Sequence, residues 1–102
     1  MIYFICRHQG TIDWVKSRKN IKIDVFLDHL DFRETEICAE DTVIGILPID
    51  IAAQICEKGA KFYALKIHQE LSERGQNFSA DNLEKMNVSL RRFQIIDLEE
   101  EL

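Results

Sequence analysis

Arg7 and His8 stand side by side in the stretch FICRHQGTIDW, residues 4–14. A guanidinium is a rigid, permanently charged fork of donors whose shape fits the oxygens of a phosphate. An imidazole takes up and releases a proton near neutral pH. Gly10 follows at once, and without a Cβ it lets a ligand approach the main chain closely. A cation, a proton carrier and an open backbone are the parts needed to hold a phosphate and move a proton beside it. The other histidines are His29 and His68, with Lys66 just ahead of the latter.

These residues can act together only if the fold brings them to one place, so the elements around them decide the matter. Ile2 to Cys6 is a continuous apolar run, as in a strand buried on both faces. From Gly10 the period changes, with Ile12 and Val15 three apart and charged residues between, which predicts a helix to about Lys19 that stops at Asn20. A second strand is expected over Ile23 to Leu30, and residues 32–40 show no period and predict a loop or short helical turn. DTVIGIL, residues 41–47, predicts a third strand, and Pro48 suits the start of a helix running to Lys58 with Gly59 as its cap.

AKFYALKI, residues 60–67, predicts a fourth strand, and HQELSERGQN after it a polar loop. Ser79 is a candidate N-cap for a helix over residues 79–92, with Leu83, Met86 and Leu90 as its apolar side. FQIIDL, residues 93–98, is the expected fifth strand, and the acidic end a solvated tail. Such alternation predicts one α/β domain over residues 1–102, with a mostly parallel sheet of about five strands. Ligands of these sheets collect beyond the carboxyl ends of the strands, where adjacent connections leave on opposite faces.

That rule puts Arg7 and His8, His29, the turn Gly45 to Pro48, and Lys66 with His68 on one rim. The helices beginning near Gly10 and Pro48 aim free N–H groups at the same rim, which makes them phosphate sites in prospect. Each residue also has a plain structural role open to it. His8 can cap the helix, Arg7 can pair with an acidic neighbour, and His29 can be a structural hydrogen bonder. Thr11 can simply help to start the helix, and Trp14 suits the core. No metal site is expected, since the carboxylates show no tight grouping and Asp28 with Asp31 comes closest. Nor is there a glycine-rich nucleotide loop or any cofactor motif.

Composition narrows the classes further. The 102 residues are 46% hydrophobic and 30% charged, as in a globular chain. No apolar run is long enough to cross a bilayer and the first residues do not read as a secretory signal, so a cytoplasmic protein without a membrane partner is expected. Cys6, Cys38 and Cys56 are odd in number and lack C-x-x-C spacing, which predicts reduced, structural thiols. The net charge of −5 argues against a binder of duplex nucleic acid. Residues 1–22 nevertheless carry Arg7, Lys16, Arg18, Lys19 and Lys22 against Asp13 alone, predicting a local positive corner for a small, compact polyanion.

RHQGT after the first strand, DTVIGILP and IAAQICEKGAKFYAL together resemble the small Csx-type accessory proteins encoded beside type III CRISPR systems. The resemblance covers almost the whole chain and is strongest over residues 3–14 and 41–65, with FSADNLEKM also similar. Gln9 and Thr11 depart from the proline and alanine common in that family. The resemblance implies a Rossmann-like three-layer domain related to sensors of cyclic oligoadenylate messengers. It also implies ring nuclease activity, the metal-independent cutting of cyclic tetra-adenylate that ends the antiviral signal. In that chemistry the substrate's own 2′-hydroxyl attacks the adjacent phosphate and leaves a 2′,3′-cyclic phosphate end.

The roles of individual residues follow from placement and not from the resemblance. His8 is the expected general acid or base, Arg7 the phosphate clamp, and His29 a second proton carrier. Gly10, Thr11, Gly45, Leu47 and Pro48 are expected to cradle the ring through backbone groups. A ring of four identical nucleotides has a two-fold axis, so a homodimer with a composite site would match its symmetry. A binder that sequesters the ring without cutting it would use nearly the same pocket, and a subunit that docks on another CRISPR protein would leave the rim structural. A histidine phosphatase would carry Arg-His-Gly, but here Gln9 intervenes, and the chain is short for that fold.

Overall fold

The computed structural model describes residues 1–18, 20–66 and 88–102. Strands β1 (Ile2–Ile5), β2 (Val25–Leu27), β3 (Thr42–Gly45), β4 (Lys61–Lys66) and β5 (Ser89–Phe93) alternate with helices α1 (Gln9–Ser17) and α2 (Ile49–Glu57). They form one α/β sheet in the order β2-β1-β3-β4-β5. β1 pairs in parallel with both β2 and β3, and β3 with β4. Only the β4–β5 pair is antiparallel.

The unbroken apolar run of β1 is explained by its central place, because both of its faces are covered. Tyr3 and Ile5 point to one face, where Val43, Phe62, and Ala52 and Ile55 of α2 complete the cluster. Phe4 points to the other, where it packs with Ile44, Leu65, and Trp14 and Val15 of α1. The two helices therefore lie on opposite faces of the sheet. Trp14, Phe4, Ile55, Val15 and Val43 are almost wholly removed from water, and each such side chain contributes about 1.5–3 kcal/mol. Gly59, at φ +85°, supplies the left-handed turn that ends α2.

The amino-terminal edge of the sheet is tied by Asp41. Its carboxylate accepts bonds from the Cys38 backbone N–H at 2.8 Å and the Met1 ammonium at 2.9 Å. Those two donors, the Cys38 amide first, hold the buried Asp41 carboxyl below its ordinary value. Beside it, the Ile2 N–H donates to Asp24 Oδ2 at 2.7 Å.

Three expectations need correction. The second strand is shorter than residues 23–30 and covers only Val25–Leu27. The helix expected over residues 79–92 falls outside the described residues up to residue 87, and its last part is strand, not helix. Val88 and Leu90, two residues apart, both pack into the Trp14 cluster, so the local period is two. Finally, the strand expected over residues 93–98 ends at Phe93. Beyond it the Ile95 N–H donates to Cys56 Sγ at 3.4 Å, which draws the chain onto α2 instead of onto a strand. Among the described residues no helix is long and apolar enough to cross a membrane.

Candidate functional site

The chain leaves β1 toward β2 on one side and leaves β3 toward β4 on the other. With α1 and α2 on opposite faces, the connections diverge between β1 and β3, and a crevice opens beyond their carboxyl ends. A cleft of about 490 Å³ lies there, within the range of small-ligand sites. Three segments beyond the strands wall it, together with Ile5 of β1 and Leu65 of β4. After β1 come Cys6, Arg7, His8 and Thr11; after β2 come Asp28, His29 and Leu30; after β3 come Ile46, Leu47, Pro48 and Ile51.

Arg7, His8, His29, Thr11, Leu47 and Pro48 are thus gathered on one cleft. The β1–β2 register, with Ile5 level with Leu27, sends both chains out of the sheet side by side. The Cys6 N–H donates to the Leu27 carbonyl at 2.9 Å and extends that pairing to the cleft's edge. Arg7, His8 and His29 are exposed, and Arg7 pairs with no carboxylate among the described residues. His68 and Lys19 lie outside the described residues. Lys66 ends β4, stacks 6.0 Å from the Phe93 ring and does not line the cleft.

His8 holds the N-cap position of α1, but its side chain makes no capping bond. The backbone does that work. The His8 carbonyl accepts from the Thr11 and Ile12 N–H groups at 3.1 Å each, and the His8 N–H donates to Cys6 Sγ at 3.3 Å. Its imidazole is left free of the helix it starts. Thr11, only 2% exposed, makes no side-chain hydrogen bond among the described residues and contributes to the cleft wall.

Neither glycine expected to cradle a ligand lines the cleft. Gly10 sits in the first turn of α1, and neither its N–H nor that of Gln9 has a partner among the described residues. Gly45 is buried and does not line the cleft. A Cβ there would lie 2.8 Å from the Ile5 carbonyl oxygen, so the residue is small to let β1 and β3 close, not to admit a ligand.

The positive corner expected from residues 1–22 is dispersed. Lys16 lies 5.0 Å from the Phe26 ring and Arg18 4.9 Å from the Trp14 ring. Lys22 lines a separate hollow at the opposite end of the strands. Arg7 alone among the described lysines and arginines lines the cleft, where Asp28 offsets its charge. Asp31 is taken up by Arg33, whose Nε and Nη2 donate at 3.2 and 3.1 Å. That side chain first, and the Arg33 backbone N–H next, keep the Asp31 carboxyl below its usual range. No group of three or more potential metal-binding side chains occurs among the described residues.

Sequence reasoning overlooked Asp28 and Ile51 as cleft residues and reached Ile46 only as part of the turn Gly45 to Pro48. Asp28 was legible in principle, since it directly follows the last residue of β2. Ile46 is 70% exposed and stands out only once the turn is seen to leave the sheet.

Comparison with curated proteins and with solved structures returns no match. A family model described as "Putative CRISPR-associated protein (Cas_VVA1548)" matches residues 3–96, a span that includes the three walls of the cleft. The chain belongs to this family of CRISPR-associated proteins.

Proposed function

We propose that this protein is a metal-independent ring nuclease that binds cyclic oligoadenylate, cyclic tetra-adenylate foremost, and linearises it to switch off type III antiviral signalling. The observation that carries the reading is the meeting of Arg7, His8, His29 and Thr11 in one cleft at the start of α1. Residues 3–14 and 41–65, which carry the resemblance to the small Csx-type proteins, supply two of its three walls. A Rossmann-like domain is the corresponding fold.

The chemistry asks little of the protein, because the nucleophile belongs to the substrate. One imidazole takes the proton from a ribose 2′-hydroxyl as its oxygen attacks the adjacent phosphorus in line. The bond from phosphorus to the 5′-oxygen breaks, and that oxygen receives a proton from the second imidazole. The products end in a 2′,3′-cyclic phosphate and a 5′-hydroxyl. His8 and His29 are the proton carriers in this scheme, and Arg7 neutralises charge developing on the phosphate oxygens. Holding the sugar–phosphate backbone in the attack geometry supplies much of the remaining acceleration.

A cleft of about 490 Å³ has room for part of such a ring. Two protomers related by a two-fold axis would close around the whole of it, so the working form is a homodimer with a composite site.

A second reading, a binder that sequesters the ring uncut, is favoured by one observation. Neither imidazole is oriented by a side-chain hydrogen bond among the described residues. The test is incubation of the protein with labelled cyclic tri-, tetra- and hexa-adenylate in EDTA. Linear products with cyclic phosphate ends are expected from the tetramer. Reversible capture without products would establish the binder, and no interaction would leave a docking subunit.

A further inference from the structure

We propose that the cleft is divided, with the start of α1 and the Thr11 hydroxyl seating a phosphodiester and the Ile46–Pro48 turn seating the purine base of the adjoining nucleotide. This deepens the nucleotide-binding reading above and rests on it. The two helices that open onto the cleft look alike in outline, since both present uncapped N-termini. Their chemistry differs.

At α1 the N–H groups of Gln9 and Gly10 have no partner among the described residues, and no acidic side chain occupies the first turn. Thr11 is 98% removed from water and lines the cleft, and its hydroxyl has no partner among the described residues. The residue is buried but its hydroxyl keeps some access to water, and at the cleft wall a ligand oxygen would give it the partner the protein does not supply. An anion there also meets the positive end of the helix dipole. Arg7, two residues before the helix, completes the seat.

At α2 the first turn carries Asp50. A carboxylate at that point already complements the dipole and repels a second anion. The residues around it are apolar. Ile46 stands 70% exposed at the cleft, and Leu47, Pro48 and Ile51 continue the same wall. Exposed aliphatic side chains next to a phosphate seat suit the flat, apolar face of a base, whose burial repays the exposure.

Titrations of the full-length protein followed by backbone amide NMR test the division, with inorganic phosphate, adenosine and the dinucleoside monophosphate ApA as probes. Phosphate should shift the amides of Gln9 to Ile12, adenosine those of Ile46 and Leu47, and ApA both. Thr11→Val, which keeps shape and removes the hydroxyl, should weaken phosphate and ApA about tenfold and leave adenosine unchanged. Thr11→Ser should restore them. Ile46→Ser, at an exposed position that the fold does not need, should weaken adenosine and ApA about three- to tenfold and spare phosphate.

The division is overturned if phosphate shifts the Ile49 and Asp50 amides instead, if it gives no response at α1, or if either variant weakens both small probes alike. A fall in oligomeric mass of the isoleucine variant, with adenosine binding intact, would assign the lip to a second copy and likewise overturn the base seat. The nuclease reading fails separately. A protein that binds ApA in this divided manner but leaves the cyclic rings uncut keeps the division and loses the nuclease, whereas cutting with unsplit variant responses does the reverse.

Discussion

Gly45 faces Ile5 across the β1–β3 pair so closely that a methyl group on it would meet the Ile5 carbonyl oxygen at 2.8 Å. The contact is with backbone in the middle of the sheet, which cannot swing aside. Gly45→Ala should therefore destabilise the protein by about 1–3 kcal/mol, the usual cost of overfilling a packed site. Urea unfolding measures it, and a variant as stable as the parent would show that β1 and β3 slide apart freely.

His8 has an imidazole that the helix cap does not use. As a proton carrier its loss is felt in the chemical step, so His8→Ala should slow ring cutting roughly 10²–10⁴-fold while changing ring affinity far less. His29→Ala should act in the same direction. Single-turnover rates set beside equilibrium binding separate the two effects. Cutting by His8→Ala at the parental rate would remove His8 from the mechanism.

Arg7 alone among the described lysines and arginines lines the cleft. Arg7→Lys keeps the charge and loses the two-pronged donor, so ring binding should weaken roughly tenfold, and Arg7→Ala should weaken it further. Affinities measured across a salt series check this, because the alanine variant should also show the shallower salt dependence. Equal affinity of all three proteins would mean that the guanidinium never touches the ligand.

Asp41 gives the protein a pH dependence that does not involve the cleft. The Cys38 amide and the Met1 ammonium hold its carboxyl below the unfolded value, which lies near ~3.9. Its contribution is full above that value and is lost as pH falls through the lower, folded one. Asp41→Asn should cost about 1–3 kcal/mol near neutrality, and the gap between the two proteins should close below about pH 4. Thermal melting from pH 3 to 7 reads this directly, and a constant gap would contradict the assignment.

Much of this arrangement was legible in residue types. The apolar run of β1, Pro48 and Gly59 bracketing α2, and the placement of Arg7, His8 and His29 at strand ends all follow from local signals that tertiary packing did not override. The failures share a cause, which is that spacing carries no distance information. Lys16 and Arg18 lie near Arg7 in the chain, yet their charged ends sit over the Phe26 and Trp14 rings. Leu90 fits a helical series with Leu83 and Met86 as well as an alternation with Val88, and only pairing with β4 decides between them. Gly45 was readable as a small residue, but whether a ligand or a neighbouring strand claims the vacant space depends on Ile5, forty residues away.

β2 has only three residues and, among the described residues, a strand neighbour on one side alone, yet it carries Asp28 and His29. The opposite wall hangs from β3, which is flanked by strands on both sides. The mouth is therefore lopsided, with one fixed jaw and one held by a handful of backbone bonds. An oversized guest would be admitted by fraying that short edge, and the Cys6 amide, which bonds to Leu27, would be the first to exchange its hydrogen with solvent.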